Sequence, residues 1–216
     1  THQDCRTCHE IHVTYTAEDW ALETTDAVSL YAFEELTFDG GTGNLCANCH
    51  QPRRTIAAAD ADGNIEVTST HWGPHHGPQS AFLLGFSGAG EVEGKASAHV
   101  SMVENSCVTC HLGEGDDHSF APGLASCQGC HDGIEDFDFS GLQTEVQEKL
   151  DMLEGYLVAA GMWDHEEDHP VVGVYPAAEA QALWNYILIS HEDESLGVHN
   201  PSYTRDLLDA SLAAFE

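Results

Sequence analysis

The sequence predicts a chain of loops and short helices over its first two thirds, a helical final third, and little or no β-sheet. Two observations predict it. Residues 1–139 hold all eight cysteines and a run of turn signals with little regular periodicity, whereas apolar residues recur at helical spacing from Ser140 onward. The length of 216 residues fits one domain, 1–216, divided into a cysteine-bearing segment 1–139 and a helical support 140–216.

In chain order, Cys5-Arg6-Thr7-Cys8-His9 comes first, then a turn at Asp39-Gly40-Gly41 and a second cysteine pair, Cys46-Ala47-Asn48-Cys49-His50. Asp62-Gly63-Asn64 marks a second turn, Pro74-His75-His76-Gly77-Pro78 a stiff third, and the glycines of 88–94 a fourth. Cys107-Val108-Thr109-Cys110-His111 and Cys127-Gln128-Gly129-Cys130-His131 follow, with a turn at 113–117 between them. Leu142, Val146, Leu150, Leu153 and Leu157 then form one helical stripe, and Ser140 with Gln143 reads as its capping box. Met152 and Met162 share that apolar pattern and are expected in the core. A second helix starts near Pro176 and carries Ala180, Leu183, Trp184 and Ile187. A third begins at Pro201 behind an Asn200 N-cap and carries Leu207, Leu208 and Leu212.

The chain has 37 acidic residues against 6 Lys and Arg, a formal net charge of -31. Such a surface repels phosphate backbones and anionic lipid heads, which excludes nucleic-acid and membrane-surface binding. No apolar stretch approaches the roughly 18 residues of a membrane span.

Every cysteine pair is followed at once by histidine. With this composition roughly 0.02 such pentapeptides are expected by chance; four are present and no cysteine is left over. Cys-x-x-Cys-His is the attachment site of c-type haem: two thiols reach the two vinyl groups of one porphyrin, and the adjacent imidazole binds the iron. The sequence therefore predicts four covalent haems on Cys5/Cys8, Cys46/Cys49, Cys107/Cys110 and Cys127/Cys130, with His9, His50, His111 and His131 as axial ligands. A zinc ribbon also fits the spacing of Cys107, Cys110, Cys127 and Cys130, but gives no reason for the histidines. About 54 residues per haem leaves little room for an independent protein core. Haem attachment of this kind occurs outside the cytoplasm, so the opening Thr1-His2-Gln3-Asp4, lacking basic and apolar leader regions, reads as a mature exported chain with its signal removed.

Each iron needs a second axial ligand unless it is catalytic. Eleven histidines lie outside the motifs, against three methionines, which points to bis-histidine ligation. Context singles out His75 and His76 in their stiff turn, His99 just upstream of the third motif, His118 between the third and fourth, and His199 ahead of the Asn200 cap. His12 lies three residues past His9 and cannot reach round to the opposite face of the first porphyrin, so it ligates a different haem or none. These are five candidate positions for four irons. Two further constellations, Asp60 to Glu66 and His165 with His169, have oxygen or imidazole donors at cation-binding spacing, but read as a solvated turn and an acidic surface loop.

The run Pro74-His75-His76-Gly77-Pro78-Gln79, His99 with the third motif, His118-Ser119-Phe120 and the ending Gly197-Val198-His199-Asn200-Pro201-Ser202-Tyr203 resemble extracellular multihaem cytochromes. The tetrahaem size and the opening Cys5…His9-Glu10-Ile11-His12 look most like the filament-forming OmcE/OmcS type, often called nanowires. The resemblance implies a homopolymer in which His12 coordinates a haem of the neighbouring subunit, and extracellular electron transfer to redox proteins or other acceptors. A looser similarity, to pentahaem nitrite reductases, implies an active haem with lysine in place of the motif histidine; no such lysine motif exists here. The expectation is thus a non-enzymatic filament subunit. A discrete tetrahaem shuttle and a reductase of small oxyanions are the alternatives, the latter disfavoured by surplus histidines and by the charge.

Overall fold

The structure, a computed structural model, describes residues 3–113 and 118–216. The turn predicted at 113–117 lies almost wholly outside them, as does His2.

Over residues 3–139 the helices are single turns: α1 (Cys5–Cys8), α2 (Asn44–Ala47), α3 (Gln79–Leu83), α4 (Ala98–Met102), α5 (Cys107–His111) and α6 (Ala125–Gln128). Four of these stand on the cysteine motifs. The His9 N–H donates to the Cys5 carbonyl at 2.9 Å, His50 to Cys46 at 2.8 Å and His131 to Cys127 at 2.9 Å. A helical turn brings residues i, i+3 and i+4 to one face, so two thiols and an imidazole share a side.

Among the described residues the strands form three two-stranded antiparallel ribbons, beside one isolated antiparallel bridge between His9 and Leu22. β1 (Val28–Leu30) pairs with β2 (Phe33–Phe38), burying Val28, Leu30 and Phe38. β3 (Asn64–Val67) pairs across the molecule with β6 (Gly173–Pro176), and β4 (Trp163–Asp164) with β5 (His169–Pro170).

The final third is helical as expected: α7 (Leu142–Ala159), α8 (Ala177–Ile187), a π-helical turn (Leu188–Asp193) and α9 (Pro201–Ala213). All five leucine and valine positions of the predicted stripe on α7 are buried. Its start differs from the Ser140 capping box. Ser140 and Gly141 are left-handed, with φ of 59° and 74°, and the chain swings so that Asp138 accepts the Thr144 N–H at 3.0 Å and the Thr144 hydroxyl at 2.6 Å. A carboxylate two residues upstream thus replaces the serine cap, and Thr144 in turn holds the Asp138 carboxyl below its ordinary range. Met152 is also corrected: Leu153 takes the inward position and Met152, about 100° round the helix, is exposed, whereas Met162 is fully buried.

The expectation that haems leave little independent core fails in this third. One cluster joins 23 buried apolar residues, 18 of them from 140–216, because three amphipathic helices pack their stripes together. Polar side chains fasten the rest of the chain to it. Asn185, buried on α8, accepts the Ala89 N–H at 2.7 Å and donates to the Ala89 carbonyl at 3.1 Å. Asn200 caps α9 through the Tyr203 N–H and donates to the Phe82 and Lys95 carbonyls at 3.0 and 2.9 Å.

Candidate functional site

All eight cysteines are free thiols, exposed or half-buried, and form no disulfide. Consecutive motifs lie side by side. Burial and the nearby Cys49 push the Cys8 thiol up; the interaction between the neighbouring Cys46 and Cys107 thiols raises the first and lowers the second to about 6; burial and Cys127 push Cys110 up. The lead-in to the second motif packs directly on the third, with the Thr42 N–H donating to Asn105 Oδ1 at 3.1 Å.

The histidines separate into groups. His9 faces His118 with ring centres 6.1 Å apart, His111 faces His199 at 6.2 Å, and His131 faces His99 at 6.1 Å. Two imidazoles bound to opposite faces of one iron place their ring centres roughly 6 Å apart, given metal–nitrogen bonds of about 2 Å and about 1 Å from nitrogen to ring centre. Three motif histidines are thus each matched with one predicted distal histidine at the spacing one axially ligated metal requires.

The second ring nitrogen is anchored in most of them. Nδ1–H donates to a carbonyl from His9 to Trp20 at 2.7 Å, from His99 to Val198 at 2.6 Å and from His111 to Phe120 at 2.9 Å. His199 Nδ1 donates to Asp193 Oδ1 at 2.7 Å. Burial pulls the His199 pKa down, but the Asp193 carboxylate, with Cys107, raises it overall. Anchoring Nδ1 fixes the tautomer and leaves the Nε2 lone pair for a metal.

Aromatic side chains stand exposed around these pairs. Trp20 lies edge-on to His9 at 6.1 Å, Phe120 is 6.1 Å from His118, and Phe139 is 4.4 Å from His131. Thiol pairs, facing imidazoles and uncovered aromatics form a donor set and apolar cradle that fit haem. Sequence reading missed Trp20, Phe139 and the Asp193 anchor; only Asp193, six residues before His199, carried a usable signal.

His50 differs: it is exposed, and no imidazole stands in ring contact with it among the described residues. Its Nδ1 donates to Gln79 Oε1 at 3.1 Å. Gly77 backs that same edge: its φ is +69° and a Cβ there would lie 3.4 Å from His50 Nδ1, so the turn that bears His75 and His76 packs on the Nδ1 side of the ring. The His75 and His76 rings lie 4.6 Å apart, tilted 40° to each other, and His76 Nδ1 lies 3.6 Å from Glu192 Oε2. Both line a cavity of about 190 Å³ with His71, His191, Asp168 and Glu192. His12 is exposed on a loop beyond α1, its ring 5.9 Å from Tyr15.

In the two cation-like segments the donors serve the chain itself. Asp60 Oδ1 accepts the Asp62 and Asn64 N–H groups, both at 2.9 Å, and His165 Nδ1 is 2.6 Å from Glu154 Oε1. Among the described residues no group of three His, Cys, Asp or Glu is placed to hold a metal ion, and no helix is long and apolar enough to cross a membrane.

No family model matches the chain, and no curated protein does. Two solved structures do. The crystal structure of the outer cell wall cytochrome OcwA superposes with a TM-score of 0.63 at 20% identity, covering 98% of this chain and 39% of that one. The undecahaem cytochrome from the S-layer of Carboxydothermus ferrireducens gives 0.61 at 20% identity, covering 98% and 31%. The fold is therefore that of the multihaem cytochromes, and this chain spans under two fifths of the length of either structure.

Proposed function

We propose that this chain is a tetrahaem c-type cytochrome that carries electrons outside the cell, and that copies of it join as a filament in which His12 ligates the haem held by Cys46, Cys49 and His50 of the next copy. The observation that carries the reading is the set of three imidazole pairs at 6.1–6.2 Å, each uniting a motif histidine with one distant in sequence. By subtraction, His99, His118 and His199 are spent, and His75 and His76 pair with each other and line the cavity beside Glu192. His12 is the candidate that remains, and His50 is the motif histidine with no imidazole in ring contact among the described residues. The outer cell wall and S-layer settings named for the two similar cytochromes support an extracellular place.

Bound haem supplies the one-electron couple. The chain's own residues set ligation and spacing: the Trp20, Val198 and Phe120 carbonyls orient three imidazoles, Asp193 orients a fourth and increases its basicity, and adjacent motifs keep neighbouring sites close. Two imidazoles per iron leave no open coordination position, so no bond-making chemistry is assigned.

Electron microscopy of the purified, haem-loaded protein tests this reading. Filaments that are lost on His12→Ala are expected; monodisperse particles from the unaltered chain would instead mark a discrete carrier.

A further inference from the structure

The segment that carries His12 is shaped by one side chain. Asp19, 6% exposed, accepts four hydrogen bonds from the loop before it: from His12 N–H at 2.9 Å, Thr14 N–H at 2.6 Å, Thr14 hydroxyl at 2.7 Å and Tyr15 N–H at 3.0 Å. Within that loop His12 and Tyr15 hold left-handed backbones, with φ of 62° and 59°, a conformation that non-glycine residues keep only when surrounding contacts impose it. Asp19 itself sits in a 3-10 turn, Ala17–Trp20, whose last residue, Trp20, supplies the carbonyl that holds His9 Nδ1 at 2.7 Å. Two adjacent residues of one short turn thus hold both His9 and His12. The loop also bares Val13 and Tyr15, 68% and 82% exposed.

We propose that Asp19 is a positioning residue for assembly: its carboxylate holds the 12–16 loop in the conformation that presents His12 to the next copy, in register with His9 through the Ala17–Trp20 turn. This rests on the filament reading above. The chemistry calls for a carboxylate. Four donors converge on two oxygens, and an asparagine in the same place would offer one acceptor oxygen and turn an NH₂ group on the remaining donors. The fold does not need the loop for its core, which lies elsewhere.

The test compares haem-loaded Asp19→Asn with the unaltered chain and with His12→Ala, reading the critical concentration for assembly and the high-spin haem fraction. Asp19→Asn is expected to keep its haem content and to raise the critical concentration about tenfold or more, as the loss of two hydrogen bonds implies. Its dispersed copies should match dispersed His12→Ala in high-spin fraction, and the double variant should assemble no worse than His12→Ala alone. Thr14→Val, which removes only one bond to the carboxylate, should act in the same direction by about fivefold and serves if the asparagine variant does not fold. Unaltered assembly in both Asp19→Asn and Thr14→Val, beside a wild-type chain that polymerises and a His12→Ala chain that does not, overturns this proposal alone. A wild-type chain that never polymerises overturns the filament reading and this proposal with it.

Discussion

The cysteine-bearing region and the helical third solve the same problem, the shielding of apolar surface, in opposite ways. Residues 140–216 bury most of theirs in a single core, where Leu153, Leu157, Leu183, Leu207 and Leu208 are fully enclosed, although Met152, Tyr156, Val158, Val172 and Val174 stay exposed. Residues 3–139 leave Tyr15, Trp20, Tyr31, Phe86, Phe120, Phe137 and Phe139 exposed, several against the paired imidazoles. A chain that carries -31 formal charge and still bares seven aromatics in one region is built to have them covered by something else. The difference teaches that the helical third closes a core of polypeptide alone, whereas the cysteine-bearing region leaves aromatics bare beside its motif histidines, as the proposed haems would require.

The sharpest way to break the comparison is to withhold the cofactor. A chain with all eight cysteines changed to serine should lose protease resistance across residues 5–131 while α7–α9 keep their far-ultraviolet helical signal; limited proteolysis with circular dichroism reads both. Next in size is damage to the helical core. Leu153→Ala empties a fully buried site and should cost about 2–5 kcal/mol, seen as a lower Tm with the haem spectrum unchanged. Asp193→Asn acts where the regions meet. It weakens the anchor on His199 Nδ1, makes the imidazole less basic and should raise the reduction potential of one haem out of four, measured by a redox titration against the unaltered protein.

The smallest effect concerns the helical third alone. Glu154 lies 2.6 Å from His165 and raises its pKa above the ordinary 6.5. A raised histidine stabilises the fold fully below its unfolded value and loses that contribution as pH climbs through the raised one. Melting temperature should therefore fall slightly as pH rises from about 6.5 through the raised His165 pKa in the unaltered chain, and less in Glu154→Gln, since an exposed pair contributes little.

What was legible in the sequence was local or periodic. The four motifs announce themselves by spacing, and the α7 stripe and the Asn200–Pro201 start of α9 follow from helical period and capping. Which histidines face each other was not legible. His9 meets His118, and His111 meets His199, across long stretches whose course no local rule fixes. Nor were the anchors, because any residue offers a carbonyl, as Trp20, Phe120 and Val198 do. The Ser140 cap failed for a related reason: a left-handed pair, Ser140 and Gly141, reoriented the chain so that Asp138 reached the helix first.

The central claim is that three imidazole pairs close within one copy and the fourth closes only between copies. Low-temperature electron paramagnetic resonance of the oxidised protein, dispersed into single copies and then reassembled, tests it most directly. The account predicts one high-spin haem in four when dispersed, converting to low-spin on assembly. Four low-spin haems in the dispersed single copy would contradict it.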